Sequence, residues 1–171
     1  DIFVKKSKIH GYRTRSAYKL IEMNEKFKFL KKNSFLLDLG SSPGGWSQVA
    51  SKKIREGKIF AVDIKEMEGI NNVYFVKGDF RENSIYEKIK EYFINKIDIV
   101  LSDMAENTTG NKTLDSYRTG ELCLKSMNLA EKVLKVDGVF LSKVFMGSIF
   151  NEIKEKAKES FKKVVIFKPL A

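Results

Sequence analysis

One cysteine, Cys123, and one histidine, His10, are all that this 171-residue chain has of either residue. Their scarcity removes whole classes of function. A lone cysteine forms no internal disulfide and builds no cysteine metal site. A lone histidine argues against a histidine-based metal site, and against a serine or cysteine triad built around a buried histidine. Proline numbers 2 and glycine 11, with no repeat and no low-complexity run to suggest an array or a long linker. No apolar stretch approaches the roughly 20 residues that cross a bilayer. The opening Asp1-Ile2-Phe3-Val4-Lys5-Lys6 contains no apolar targeting segment. The expectation is a single domain over residues 1–171, monomeric, in the reducing cytoplasm, with neither membrane nor metal among its partners.

What the chain does have is apolar surface and positive charge. A hydrophobic content of 43% with 12% aromatic residues supplies a sizeable core, which excludes a disordered chain. The net charge is +10, and residues 1–32 hold ten basic and three acidic side chains, leaving +7 in the first fifth of the chain. Lys5, Lys6, Lys8, Arg13 and Arg15, with Tyr12 and Tyr18 interleaved, form a basic N-terminal arm suited to a phosphate backbone, because each neutralised phosphate releases condensed counterions. The alternative is a lysine-rich surface kept for solubility.

Residues 16–30 place apolar groups at helical spacing, with Ser16 as an N-cap. Five apolar runs then read as strands, each followed by a helical pattern or a polar loop: 34–39, 58–64, 73–77, 97–101 and 139–144. Helices are expected over 46–54, 83–94, 115–135 and 148–160, a polar loop over 106–112, and a last short strand over 164–167. Continuous rather than alternating hydrophobicity, interrupted by helices, means a mostly parallel sheet covered on both faces, an α/β Rossmann-like fold. Ligands of such sheets sit outside the carboxyl ends of the strands. Those ends carry Gly40 to Gly45, Asp63, Asp79, Asp103 and Lys143.

The loop Gly40-Ser41-Ser42-Pro43-Gly44-Gly45-Trp46 lets backbone approach a ligand closely. It is not the G-x-G-x-x-G pattern, and proline in its middle argues against a pyrophosphate cradle, so an adenosine ligand without phosphate fits better than a nicotinamide dinucleotide. Asp63 is placed to accept hydrogen bonds from both ribose hydroxyls, and Asp79 to reach the exocyclic amine of an adenine. Trp46 either closes over the far end of the ligand or caps the helix that follows. Cys123, on the apolar side of a helix, reads as core packing, and His10 as a solvated surface residue.

Four ordered motifs run from near the start to residue 145: Gly11-Tyr12-Arg13-Thr14-Arg15-Ser16-Ala17-Tyr18-Lys19-Leu20, Asp38-Leu39-Gly40-Ser41-Ser42-Pro43-Gly44-Gly45-Trp46-Ser47-Gln48, Ser102-Asp103-Met104-Ala105 and Lys143-Val144-Phe145. Together they resemble the FtsJ/RrmJ ribosomal RNA 2′-O-methyltransferases. Within that family the run Glu106-Asn107-Thr108-Thr109-Gly110 looks closest to the bacterial and mitochondrial large-subunit enzymes. The resemblance implies S-adenosylmethionine as cofactor, lying against Gly40, Gly44, Gly45, Trp46, Asp63, Asp79 and Asp103. It also implies a Lys-Asp-Lys-Glu tetrad whose first three members fall on Lys19, Asp103 and Lys143. The family's glutamate falls beyond Lys168-Pro169, outside this sequence.

Methyl transfer to a ribose hydroxyl requires an aligned 2′-oxygen and removal of its proton. Two ammonium groups converging on one site disfavour each other's charge. Lys143 is therefore expected as the proton acceptor, Lys19 as the group that positions the hydroxyl, and Asp103 as the residue orienting lysine and methyl donor. The expected activity is 2′-O-methylation of a uridine in 23S ribosomal RNA, within the large ribosomal subunit. The alternatives are a tRNA or cap 2′-O-methyltransferase of the same family, and a non-catalytic RNA-binding module.

Overall fold

The computed structural model describes residues 1–104, 109–147 and 149–171. Its elements run α1 (Ile2–His10), α2 (Ser16–Phe27), β1 (Phe35–Leu39), α3 (Gly45–Lys53), β2 (Lys58–Asp63), β3 (Tyr74–Lys77), α4 (Asn83–Phe93), β4 (Ile97–Ser102), α5 (Lys112–Val133), β5 (Leu134–Ser142) and α6 (Phe150–Ser160). The strands form one sheet in the order β3-β2-β1-β4-β5, and every pairing is parallel. This is the expected Rossmann-like α/β fold.

Successive side chains of a strand point to opposite faces, and here each face buries its own cluster. Leu37, Leu39, Phe60, Val62, Val76 and Val100 pack with Ile85, Ile89 and Phe93 of α4 and Leu122, Leu129 and Val133 of α5. Leu36, Ile59, Ile99 and Leu101 pack with Ala17, Leu20 and Met23 of α2 and Trp46, Val49 and Ala50 of α3. The inner strands read as near-continuous apolar runs because both faces are covered, with Asp38 of β1 the buried exception.

The registers Leu39↔Val62, Leu39↔Ser102, Asp63↔Lys77 and Ser102↔Ser142 bring the strand ends level. Gly40, Asp63, Asp79, Asp103 and Lys143 therefore follow the carboxyl edge of the sheet in one row. The order reverses between β1 and β4, the switch point at which an open parallel sheet leaves room for a ligand.

Several sequence expectations need correction. The basic arm, for which the sequence offered no conformation, folds over residues 2–10 as α1, with the Asp1 carboxylate accepting from Phe3 N–H at 2.8 Å and Gly11 at φ 78 closing it. Ser16 is the first residue of α2 rather than its cap, and its hydroxyl lies 2.7 Å from Thr14 Oγ1. That helix stops at Phe27, where Lys28 turns left-handed. Residues 164–167 pair with no strand among the described residues. Phe167 instead meets Phe27 at 5.7 Å between ring centres, and Leu170 N–H donates to the Glu22 carboxylate at 2.9 Å. The apolar run there is held by α2, so its composition alone misleads. The strand expected over 139–144 is β5, starting earlier, with Asp137 at φ 67 forming an irregularity inside it. The motif residue Ala105, the run Glu106-Asn107-Thr108 and Ser148 lie outside the described residues.

Candidate active site

Each strand end contributes its side chain by stopping where its apolar run stops. Gly40, at φ 73, takes the chain off β1, and its bare α-carbon faces the Met104 side chain, where a Cβ would collide. Its N–H and that of Ser41 both donate to Val62 O, at 2.9 and 3.2 Å. Gly44, at φ 123, is the cap from which α3 begins. The N–H groups of Gly45, Trp46 and Ser47 open that helix without intrahelical partners, giving the loop a positive edge.

Asp63 holds this loop in place. Its Oδ2 accepts from Ser42 N–H at 2.9 Å and its Oδ1 from Lys65 N–H at 2.9 Å. The Ser42 hydroxyl also donates to Glu66 O at 2.8 Å. Asp79 is embraced by Arg81, whose Nε and Nη2 donate to Oδ1 and Oδ2 at 2.9 and 2.7 Å. Those bonds hold its carboxyl below the usual carboxylate range.

Asp103 follows β4, its N–H donating to Leu39 O at 3.4 Å. Lys143 follows β5, its N–H donating to Ser102 O at 2.9 Å, and its Nζ reaches Asp103 Oδ1 at 3.9 Å. The same ammonium lies 5.1 Å from the centre of the Phe145 ring. Burial pushes the Asp103 carboxyl up, and the charges of Lys143 and then Lys19 oppose that push without cancelling it. Lys19, from α2, thus acts on the same carboxylate as Lys143, so three elements distant in sequence converge on one charge.

Other expected residues sit differently. The Trp46 indole is buried between α2 and α3, its Nε1–H donating to Ser16 O at 2.8 Å. Only its backbone, in the first turn of α3, is left for the loop. Lys5, Lys6 and Lys8 are exposed on α1, and Arg15 pairs with Asp1. Arg13 turns inward to backbone carbonyls. Cys123 packs with Met127 and Ile153, and His10 is exposed, with Nδ1 2.6 Å from the Tyr18 hydroxyl.

Sequence reasoning passed over Asp38. At 1% exposure it lies beneath the loop, where Oδ2 accepts from the Ser47 hydroxyl at 2.6 Å and Oδ1 has no hydrogen-bond partner among the described residues. Its signal was visible, a carboxylate inside the apolar run of β1.

A family model described as FtsJ-like methyltransferase matches residues 12–171. The chain belongs to the FtsJ-like methyltransferase family. It is 50% identical to a ribosomal RNA large subunit methyltransferase E of Pelagibacter ubique, covering 99% of this chain and 83% of that protein. It is 43% identical to the protein of the same name from Acinetobacter baylyi, over 100% of this chain and 80% of that one. A crystal structure from Plasmodium falciparum, described as a ribosomal RNA methyltransferase, superposes with a TM-score of 0.85 at 39% identity, covering 93% and 92% of the two chains. A Streptococcus mutans methyltransferase structure in complex with SAH shares the fold, at 18% identity and a TM-score of 0.56, covering 88% of this chain and 86% of that one.

An S-adenosyl cofactor fits the residues present. Gly40 and Gly44 give the loop the positive-φ turns that lead into the free N–H groups of α3, and the carboxylates of Asp63 and Asp103 stand beside it to meet hydroxyl groups and a cationic centre.

Proposed function

We propose that this member of the family is a large-subunit ribosomal RNA methyltransferase that methylates the 2′-hydroxyl of a uridine in 23S RNA. Its cofactor is S-adenosylmethionine, which supplies the methyl group from a sulfonium. Gly40, Gly44, Gly45, the Trp46 backbone, Asp63, Asp79 and Asp103 would hold it. Lys143 takes the proton of the 2′-hydroxyl, which it does only in its uncharged form. Lys19 positions that hydroxyl, and Asp103 fixes the Lys143 head.

The observation that carries this reading is the approach of Lys143 to Asp103 at 3.9 Å, with Lys19 acting on the same buried carboxylate. A structural ion pair needs one cation, and a site that must both orient a hydroxyl and receive its proton has use for two. Lys5, Lys6 and Lys8 on α1, together with Arg15, form the basic face that meets the RNA backbone, and the protein acts as a cytoplasmic monomer. The names of the relatives support a ribosomal rather than a transfer-RNA substrate.

The test is nucleoside mass spectrometry of RNA from cells with and without the protein, followed by methylation of isolated large subunits in vitro. A 2′-O-methyluridine of 23S RNA that depends on the protein is the expected result. A dependent methyl on transfer RNA or a cap would move the substrate, and no dependent methyl would leave an RNA-binding module.

A further inference from the structure

Charge arithmetic counts Arg13 with the lysines of the basic segment, yet its guanidinium is engaged by main chain. Nη1 donates to Pro43 O and Glu68 O, both at 2.8 Å, and Nη2 donates to Gly69 O at 3.0 Å. Its own N–H donates to Gln48 Oε1 at 2.8 Å, and Gln48 Nε2 donates to Gly11 O at 3.1 Å, so the chain is held on both sides of Tyr12. The guanidinium packs against the bare side of Gly44, where a Cβ would lie 2.8 Å from Nη1. Its acceptors in these bonds are carbonyls. A planar fork on carbonyls from two separate segments fixes backbone geometry, whereas a phosphate contact leaves the fork free for the ligand.

We propose that Arg13 is a positioning residue for the cofactor loop. It ties the loop at Pro43 and Gly44 to the segment at Glu68 and Gly69, which follows the ribose-side Asp63. Because it lies six residues before Lys19 on the same N-terminal segment, it also couples cofactor binding to RNA binding. The coupling rests on the RNA reading above, and the positioning does not. Asp63 and Ser42 already join the same two segments, through Ser42 N–H and Glu66 O. Arg13 adds the third attachment and the only one of these that comes from the RNA side. Any such coupling is reciprocal: what RNA does to cofactor affinity, cofactor does to RNA affinity.

The test uses the full chain as wild type, Arg13→Ala, Arg13→Lys and the double variant Lys5→Glu/Lys6→Glu. Calorimetry with S-adenosylmethionine is expected to show about tenfold to a hundredfold weaker binding for Arg13→Ala, the range of a lost charge-assisted hydrogen-bond set. Arg13→Lys gives no rescue, since one ammonium does not reproduce the fork. The slope of RNA affinity against salt stays at the wild-type value in both, while Lys5→Glu/Lys6→Glu flattens it and leaves cofactor affinity alone. Cofactor affinity of both Arg13 variants at the wild-type value, or a slope flattened by about 1, overturns the proposal and makes Arg13 a phosphate contact. If Arg13→Ala does not fold, Arg13→Lys carries the same readouts. A purely structural role would lower the melting temperature without touching the coupling. Cofactor affinity is therefore also measured with saturating ribosomal RNA: wild type changes with RNA and Arg13→Lys does not. An equal change in both overturns the coupling. A wild type that binds the cofactor and no RNA overturns the RNA reading instead, and the cofactor titration alone then decides Arg13.

Discussion

Replacing Asp38 by asparagine should change how the stability of the free protein depends on pH. The carboxyl is pushed up from 3.8 to about 7, first by burial and further by the charges of Asp103 and Asp63, against the hydrogen bond from Ser47. The folded protein therefore holds this proton more tightly than the unfolded chain, so stability falls as pH rises from about 4 to about 7. The slope approaches 1.36 kcal/mol per pH unit, so about three units make a loss of about 4 kcal/mol, complete above pH about 7. Asparagine does not ionise and keeps an acceptor for Ser47. Its amide needs a partner where Oδ1 has none among the described residues, which costs about 1–3 kcal/mol at every pH. At pH 4 the variant should be the less stable of the two, and at pH 8 the more stable. The difference in melting temperature should swing by roughly 8–16 °C between those pH values, at about 2–4 °C per kcal/mol for a domain of this size. Thermal melts of both proteins without cofactor at half-unit pH intervals measure it. A stability difference that stays flat from pH 4 to pH 8 would refute the reasoning, because it would mean that Asp38 is ionised in the folded state at no cost.

Lys143→Ala should lower the rate of methyl transfer by about 10²–10⁴ with little change in cofactor affinity; near-normal single-turnover rates would move the proton acceptor to Lys19. Asp63→Ala removes the acceptor that Ser42 N–H and Lys65 N–H share, and should weaken S-adenosylmethionine by about 1.5–3 kcal/mol in calorimetry. Equal affinity would take Asp63 out of the site. RNA affinity should fall with salt at a log–log slope of about −3 to −5, and reversing two of Lys5, Lys6 and Lys8 should flatten it by about 1 to 2. An unchanged slope would return those lysines to solubility.

The row at the carboxyl edge was legible because most of its members end an apolar run, and a run that stops at Asp63 or Asp103 marks both the strand and its chemistry. The failures have a common form. Residues 164–167 have strand composition, but a strand exists only beside a partner, and the segment meets α2 instead through Phe167 and Phe27. Trp46 reads as either a cover for the ligand or a cap for α3, and its N–H found Ser16 O across a seam that no local pattern announces. Arg13 reads as surface charge, and its carbonyl partners lie 30 to 56 positions away. Local composition reports what a side chain is able to do, and tertiary contacts select among those options.

Charge shows the same selection at the scale of the whole molecule. The chain carries +10, yet the carboxyl edge of its sheet gathers Asp38, Asp63 and Asp103 closely enough that the latter two raise the carboxyl of the first. A ligand of either sign would be drawn to one region and repelled by the other. On the function proposed above, polyanionic RNA suits the basic face of α1 and a sulfonium suits the acidic edge, which assigns ligands of opposite charge to different places. Lys19 and Lys143 bring positive charge to that acidic edge, two cations acting on the one carboxylate of Asp103. A buried Asp38 that costs stability when empty is what such an edge requires, because the negative potential that burdens the free protein is the potential a cationic cofactor relieves. Adding S-adenosylmethionine should therefore raise the melting temperature of wild type more than that of Asp38→Asn at pH 8. Equal increments would show that Asp38 is not part of the field the cofactor meets.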